Sequence, residues 1–110
     1  MNFNEMKKEF RKTKEWREFT KALKAERKVD ALTHAKLRKG STSHHLDLRP
    51  DNYKDLNPKK FEVLNMKSHD VIHFLYSYYR KDRSILQRLG IILEKMFILS
   101  EGDKYNEQNI

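Results

Sequence analysis

The apolar residues of this chain lose their helical spacing between residues 29 and 48, and this gap constrains the fold more than any other feature. Residues 3–28 before it lack Gly and Pro and are rich in the helix formers Lys, Glu, Arg and Ala. Inside the gap, Lys39-Gly40-Ser41 is a turn signal. The flanking segments Lys36–Arg38 and Thr42–Leu46 are expected to pair as a hairpin, which predicts an α+β, mostly helical fold.

Two helices are expected within residues 3–28, because the apolar residues before and after residues 12–14 are out of phase. Thr13 at this break is a candidate N-cap of the second helix. Trp16 and Phe19, which follow it at helical spacing, are expected to anchor the hydrophobic core.

Two further helices are predicted toward the C-terminus. The first begins with Ser68 as a candidate N-cap and runs toward Tyr79. The second is amphipathic, lies within residues 83–100, and is followed by residues that look frayed from Gly102 on. Its apolar stripe, Ile85–Leu99, suits either an intramolecular core or the face of a homodimer.

Positive charge is concentrated at the N-terminal end of the chain. The net charge is +8; residues 1–43 carry 13 Lys and Arg against 6 Asp and Glu, whereas residues 44–110 carry 11 against 10. A polyanion such as nucleic acid is the natural partner of this basic segment. A solvated, highly charged helix without a partner accounts for the charge equally well.

Several classes of site are excluded by what the sequence lacks. With no cysteine, the chain can form neither disulfides nor thiolate metal sites. The charged N-terminus has no apolar segment of the kind found in signal peptides. The most apolar run, Ile85–Leu99, is interrupted by Gln87 and by three charged side chains, which a membrane span tolerates poorly. We therefore expect a cytoplasmic protein with no membrane partner.

Four of the five histidines form two pairs. His69 and His73 lie at i and i+4 on a predicted helix, so both imidazoles project from one face and can bind one metal ion. Taken alone, such a pair is weak support for a metal site. His44 and His45, at the end of the predicted hairpin, can add a third ligand, which makes the combination far more specific. His34 lies outside both pairs and is expected to be a surface residue.

The segment HHLDL…LNPKKFEVLNMKSHDVIH resembles the HNH (ββα-metal) endonucleases. Their motif is a hairpin ending in a metal-binding residue and a catalytic histidine, followed by a loop and a helix with further metal ligands. The resemblance covers residues 29–79. It implies a ββα-metal (HNH/His-Me finger) core between a basic helical arm, residues 1–28, and the C-terminal amphipathic helix, all in a single domain of residues 1–110.

The resemblance implies a role for each of the four paired histidines. His44 takes the first metal-ligand position, His69 and His73 take the two helical ligand positions, and His45 is the general base. One divalent ion is implied, Mg²⁺ or Mn²⁺, with Zn²⁺ or Ni²⁺ also suited to imidazole ligands. A backbone carbonyl or a carboxylate is expected to fix the tautomer of the base; Asp47 and the loop at residues 50–57 are in range by sequence.

Many HNH relatives carry two CxxC pairs that bind a structural zinc ion, and this sequence lacks both pairs. Asp30-x-x-Thr33 and Asn65-x-x-Ser68 stand at the corresponding places. We expect a hydrogen-bonded polar cluster instead of the zinc, with no structural zinc in the protein. The alternative is that these four residues are unrelated loop and cap residues.

A second departure concerns the middle asparagine of the HNH motif. Its position falls near Lys60, nine residues before His69. Asn57 can serve instead if the loop is shifted, and Lys60 can contact the phosphate as a point charge. Lys60 and Asn57 are therefore carried as candidate catalytic residues beside His45.

Together these features predict a metal-dependent endonuclease that hydrolyses DNA phosphodiester bonds and leaves 5′-phosphate and 3′-hydroxyl ends. The whole chain looks like the small stand-alone HNH proteins common in bacteriophage genomes. That resemblance implies the host cytoplasm as location and a phage packaging terminase as a further partner. The alternative is a catalytically silent HNH scaffold of phage origin that binds DNA or protein as an accessory or inhibitor.

Overall fold

The computed structural model describes residues 1–108, and their side chains for residues 1–102. In that part of the chain, helices and a two-stranded antiparallel sheet confirm the predicted α+β, mostly helical class. The elements are α1 (Phe3–Arg11), α2 (Lys14–Arg27), β1 (Thr42–His45), β2 (Phe61–Leu64), α3 (Met66–Tyr79) and α4 (Ile85–Gln108). The chain divides into two compact units, Met1–Val71 and Ile72–Ile110, and the continuous helix α3 runs through the division.

The predicted break in the N-terminal helical segment is confirmed between α1 and α2. Thr13 is extended, and its side-chain oxygen accepts a hydrogen bond from the Trp16 N–H at 3.3 Å. An N-cap of this kind satisfies one of the backbone donors that the first turn of a helix leaves unpaired. α1 is capped in the same way by Asn2, whose oxygen accepts from the Glu5 N–H.

The sheet corrects the predicted hairpin. β1 pairs with β2, in the register Thr42↔Leu64 to His45↔Phe61, and the pairing of Lys36–Arg38 with Thr42–Leu46 was wrong. Burial explains the choice of partner. Phe61 and Val63 are almost fully buried against Leu23 of α2, whereas Lys36–Arg38 has one apolar side chain, Leu37, which packs against this core only partly buried.

The hydrophobic core lies between α2 and the sheet. Trp16 and Phe19 pack against Phe61, with ring centroids 5.9 and 4.9 Å apart, which confirms both as core anchors. On β1, the hydroxyl of the buried Ser43 is hydrogen-bonded to the hydroxyl of Thr20 on α2. The sheet is therefore held to α2 by both apolar and polar contacts.

The predicted polar cluster is present, with the fully buried carboxylate of Asp30 at its centre. One oxygen of this carboxylate accepts from the backbone N–H groups of Leu32 and Thr33 at 2.8 and 2.7 Å. The other oxygen accepts from the Asn65 N–H at 2.7 Å, and the Ser68 hydroxyl also donates to the carboxylate. Burial alone raises the pKa of Asp30, but the hydrogen bonds from Thr33, Asn65 and Ser68 outweigh it and hold the pKa well below its ordinary range.

The start of α3 differs from its prediction because of this cluster. The helix begins at Met66, not with Ser68 as its cap, and the Asn65 carbonyl accepts the first helical bond from His69 N–H at 2.9 Å. The buried Ser68 hydroxyl is used by Asp30 instead. The Asn65 side chain also accepts from the Arg38 N–H at 2.8 Å, which ties the preceding loop to this point.

The end of α4 also differs from its prediction. α4 extends to Gln108, beyond the predicted end of this helix at residue 100, and the expected fraying from Gly102 on stays a prediction. The segment contains no proline, and a single glycine costs a helix only about 1 kcal/mol. Residues 109 and 110, which the same expectation included, lie outside the described residues. Among the residues described, no helix combines the length and the apolar character needed to cross a membrane.

We predict that Asp30→Ala lowers the free energy of unfolding by at least about 3 kcal/mol, measured by urea denaturation followed by circular dichroism. The substitution leaves several buried donors without an acceptor, each costing about 1–3 kcal/mol. Asp51→Ala is the matched control, because Asp51 is exposed, and a surface change of this kind stays within about 0.5 kcal/mol.

The same carboxylate predicts a pH dependence of stability. Because the folded-state pKa of Asp30 lies below the unfolded value of about 3.9, its contribution is present above that pH and is lost as the pH falls through the folded-state pKa. Below about pH 4, the wild type should lose up to about 1.4 kcal/mol per pH unit more than Asp30→Asn. Parallel pH profiles for the two proteins would contradict this role of Asp30.

Candidate metal centre

The two adjacent histidines of β1 face opposite sides of the sheet, as successive residues of a strand do. His44 lies opposite Glu62 in the register, and its ring contacts the ring of His69 with centroids 5.2 Å apart. His45 lies opposite Phe61 and packs against that ring at 4.6 Å. His44 and His45 therefore lie in two different environments.

Three histidines lie close enough to hold one metal ion. One ring nitrogen from each of His44, His69 and His73 lies within 4.8 Å of the others. His69 and His73 are carried one turn apart by the single helix α3. Bonds of about 2.0–2.1 Å to one ion require nitrogens about 3–4 Å apart, so modest rotations of the rings suffice.

The donor set fits a divalent transition ion. His44 and His69 are half-buried and His73 is exposed, so the cluster is reachable from solvent. Three neutral imidazoles suit Zn²⁺, Mn²⁺ or Ni²⁺ and leave coordination positions for other ligands. The Nδ1 atom of His69 lies 3.4 Å from a carboxylate oxygen of Asp70, a neighbour of the kind that orients a ligating ring.

His45 is fixed in one tautomer by the backbone. Its Nε2 atom lies 2.9 Å from the carbonyl oxygen of Tyr53. A carbonyl only accepts hydrogen bonds, so Nε2 carries the hydrogen and the lone pair of the neutral ring is on Nδ1. The ring is also stacked on Tyr53, at 4.2 Å and 12°, and on Trp16, at 5.6 Å and 9°. These contacts leave the imidazole little freedom to rotate.

The surroundings of His45 favour its neutral form. Burial lowers the pKa of His45 below its ordinary value, and the positive charges of Arg11 and Lys7 act in the same direction. The hydrogen bond with Tyr53 and the charge of Asp47 oppose them but do not outweigh them. The unprotonated Nδ1 is thus available to accept a proton at neutral pH.

Tyr53, which the sequence did not single out for this role, is itself held in place. Its side chain is buried, its hydroxyl accepts from the Arg11 Nε–H at 2.9 Å, and its ring meets the edges of Phe3 and Phe10. α1 therefore positions the backbone group that orients His45. The part that acts on His45 is a carbonyl oxygen, which every residue has, so only the general range of residues 50–57 could be predicted.

Asp47 closes the loop that carries Tyr53. Its carboxylate accepts from the backbone N–H of Arg49 at 3.1 Å, from the Arg49 guanidinium at 2.9 and 2.8 Å, and from the Asn52 amide at 2.9 Å. Hydrogen bonds from Arg49 and then Asn52 hold the pKa of Asp47 well below its ordinary range. Of the two partners in range of His45 by sequence, Asp47 and the loop at residues 50–57, the loop makes the hydrogen bond, through the Tyr53 carbonyl, and Asp47 restrains the chain between them.

The two other candidate catalytic residues lie in the same loop. The ammonium of Lys60 is 2.7 Å from Asp55 and 3.9 Å from Asp47, and it lowers the pKa of Asp55. The Asn57 side chain accepts from the Lys59 N–H at 3.1 Å and caps a short 3₁₀ turn, Pro58–Lys60. Catalytic roles for Lys60 and Asn57 stay predictions.

His34 is exposed, which confirms it as a surface residue. It adopts a left-handed backbone conformation, with φ of 62°, in the turn that follows Asp30. Its position outside the histidine cluster makes it a natural reference for experiments on the other four histidines.

Comparison with known proteins gave no match: no family model, no curated protein and no solved structure matches this chain.

We predict that the protein binds one Zn²⁺ or Mn²⁺ ion per chain, measured by isothermal titration calorimetry. His44→Ala and His73→Ala should each weaken binding at least about 100-fold, because losing a ligand costs no less than the 10- to 100-fold loss seen for its outer-shell partners. His34→Ala should bind as the wild type does. Equal affinity in all four proteins would contradict the site.

Proposed function

We propose that this chain is a metal-dependent DNA endonuclease built on a ββα-metal core of the HNH type. One observation carries the proposal: the ring nitrogens of His44, His69 and His73 converge, while the next residue after His44 is a histidine held in a single tautomer. The order β1, loop, β2 and α3 supports the same assignment. Metal-assisted hydrolysis needs both a set of metal ligands and an oriented base, and here the candidate base is the residue next to one of the ligands in the sequence.

In this proposal, His44, His69 and His73 hold one divalent ion. When bound, the ion supplies positive charge that stabilises the phosphoryl oxygens and the departing 3′-oxygen of the substrate. The three imidazoles bind an ion in their neutral forms. Mg²⁺ and Mn²⁺ are the expected working ions, and imidazole ligation favours transition ions.

His45 acts as the general base. Its Nδ1 atom accepts a proton from the attacking water, and its Nε2–H remains hydrogen-bonded to the Tyr53 carbonyl, which stabilises the imidazolium that forms. Trp16 and Tyr53 hold the ring plane while the proton moves. His45 is the last residue of β1, and the N–H of the next residue, Leu46, donates to the Lys60 carbonyl at 2.9 Å, so the backbone after the proposed base is still held against the residue that precedes β2. Hydrolysis then leaves 5′-phosphate and 3′-hydroxyl ends.

DNA is the proposed substrate because the basic charge of the chain lies beside the core. Residues 1–43 have a net charge of +7, and exposed basic side chains project from and just after α1 and α2: Lys8, Lys12, Lys14, Arg17, Lys21 and Lys28. Such side chains contact phosphates and make binding dependent on salt and largely independent of base sequence. A packaging terminase as partner rests only on the resemblance to phage proteins.

We predict that the wild-type protein converts supercoiled plasmid to nicked or linear DNA with Mn²⁺ or Mg²⁺, and that His45→Ala reduces the rate about 100- to 10,000-fold. This is the usual contribution of a general base. The variant should bind Mn²⁺ with unchanged affinity, since His45 faces away from the three ligand nitrogens.

An intact plasmid across metals and pH, from a protein that still binds DNA, would favour the catalytically silent accessory instead. Equal cutting by the wild type and His45→Ala would contradict the assignment of the base. Salt titration of DNA binding, run on both proteins, separates a loss of chemistry from a loss of binding.

We also predict that Asp47→Ala lowers the cleavage rate at least about 10-fold without changing the affinity for Mn²⁺, because the loop no longer holds the Tyr53 carbonyl against His45. Asp82→Ala is the matched control. Asp82 makes the same kind of turn, accepting from the Ser84 N–H and hydroxyl and from Arg88, but lies in the segment between α3 and α4. A similar loss of rate in both variants would contradict a specific role for Asp47.

A further inference from the structure

A short extended segment, Lys36–Arg38, lies between α2 and β1 and directs two cations away from the core. Lys36 lies opposite Val29 in an antiparallel bridge. The side chain of Leu37 packs against the hydrophobic core between α2 and the sheet. Because successive side chains of an extended chain point to opposite sides, Lys36 and Arg38 both project away from that core, and both are exposed.

The side chain of Asn65 holds this segment along its other edge. Its amide oxygen accepts from the Arg38 N–H at 2.8 Å, and its amide nitrogen donates to the Lys36 carbonyl at 3.1 Å. These are the backbone groups on either side of Leu37 that a neighbouring strand would bind. The N–H of Leu37 itself points to the opposite edge, where it donates to the Lys28 carbonyl at 3.4 Å. The backbone of the segment is therefore held on both edges.

The spacing of the two cations suits a nucleic-acid backbone. Residues two apart on an extended chain lie about 6–7 Å apart and on the same side. This spacing is comparable with the distance between neighbouring phosphates along one strand of DNA. Lys36 and Arg38 can therefore each contact a phosphate of the same strand at the same time.

The positive charge of the segment is not balanced by carboxylates. Arg49 and Lys60 each pair with an aspartate, at 2.8 and 2.7 Å. Among the side chains that the structure describes, neither Lys36 nor Arg38 has an acidic partner. Residues 31–41 contain three Lys and Arg and no Asp or Glu. The segment thus presents uncompensated positive charge to solvent, which attracts a polyanion.

The same asparagine joins the segment to the helix of the candidate metal centre. The Asn65 carbonyl accepts the first helical bond of α3, from the His69 N–H at 2.9 Å. Asn65 and His69 are four residues apart, which is about 6 Å along the helix axis. Both residues and the segment belong to the compact unit Met1–Val71. The two cations are therefore held directly to the start of the helix that carries a proposed metal ligand.

We propose that Lys36 and Arg38 form a binding site for two neighbouring phosphates of one DNA strand, and that Asn65 is the positioning residue that holds this site against α3. The inference rests on the proposed function for its substrate, and it names contacts that hold the strand beside the metal centre. Because Asn65 fixes the backbone before DNA binds, less conformational freedom is lost than with cations on a mobile loop. Contacts to phosphates carry no sequence information, so the site positions DNA of any sequence.

DNA binding in the absence of metal tests the cation pair. The wild type and the double variant Lys36→Gln/Arg38→Gln are titrated against a short fluorescein-labelled duplex in EDTA, over a series of salt concentrations, by fluorescence anisotropy. Arg80→Gln/Lys81→Gln is the matched control. It also removes one Lys and one Arg, both exposed, from the segment that follows α3. Circular dichroism establishes that each protein keeps its helical content.

The Lys36→Gln/Arg38→Gln protein should bind DNA about 10- to 100-fold more weakly at about 0.1 M salt. The slope of log K against log salt concentration should become shallower by about 1.8, because each lost phosphate contact contributes about 0.9. The control should keep the slope of the wild type. Unchanged binding by the first variant overturns the proposal, as does an equal loss in both variants, which indicates a response to overall charge alone.

Asn65→Ala tests the positioning role, since it removes both side-chain hydrogen bonds and no charge. We expect it to weaken DNA binding about 2- to 10-fold, because the two cations must then be ordered on binding. Thr13→Ala, which loses the N-cap of α2, controls for a general loss of stability and should bind DNA as the wild type does. Wild-type affinity in a folded Asn65→Ala protein overturns the positioning role. If that variant proves unfolded, the two double variants decide the proposal.

Plasmid cleavage with Mn²⁺ is scored separately from binding. A wild type that binds DNA through Lys36 and Arg38 but leaves the plasmid intact supports this site and contradicts the nuclease. A wild type that cuts the plasmid, beside a Lys36→Gln/Arg38→Gln protein with unchanged DNA affinity, overturns this site alone.

Discussion

A single buried carboxylate holds together the segments on which the histidine cluster depends. Asp30 follows α2 in the chain, yet its two oxygens accept hydrogen bonds both from its own turn and from Asn65 at the junction of β2 and α3. The start of α3, and with it the position of His69, is thereby fixed relative to the sheet. A charged group this deeply buried is stable because donors surround it, and the loss of those donors would leave it far more costly than an apolar residue. In this protein, hydrogen bonds to Asp30 therefore join chain segments in the way that a bound structural ion joins them in other small proteins.

The two faces of β1 place its adjacent histidines in different surroundings. One face directs His44 toward His69, and the other directs His45 into a group of aromatic rings beneath the Tyr53 carbonyl. A ligand needs a nitrogen that can move to meet an ion, and a base needs a ring held still with its lone pair on a known atom. The half-exposed setting of His44 suits the first need, and the stacking of Trp16 on His45 suits the second.

Features that depend on local chemistry could be predicted from the sequence. The helix break at Thr13 and the spacing of His69 and His73 follow from capping and helical periodicity. The polar cluster around Asp30 was predicted in another way, from the positions at which the HNH resemblance places CxxC pairs. The pairing partner of β1 could not be predicted in this way. The four residues of β2 are too few to show a strand period, and burial of Phe61 against α2 selects them across a long loop. Backbone groups such as the carbonyl that orients His45 leave no mark in the sequence at all.

The central claim is that neighbouring histidines divide the work, three binding an ion and His45 keeping a free Nδ1. Nitrogen-15 NMR of the imidazole rings, recorded with and without Zn²⁺, tests it most directly, because each ring nitrogen reports whether it is protonated, free or metal-bound. On addition of Zn²⁺, we expect one nitrogen each of His44, His69 and His73 to become metal-bound, while His45 keeps its hydrogen on Nε2 and its lone pair on Nδ1. A metal-bound nitrogen on His45, or a hydrogen on its Nδ1 in place of Nε2, would contradict the claim.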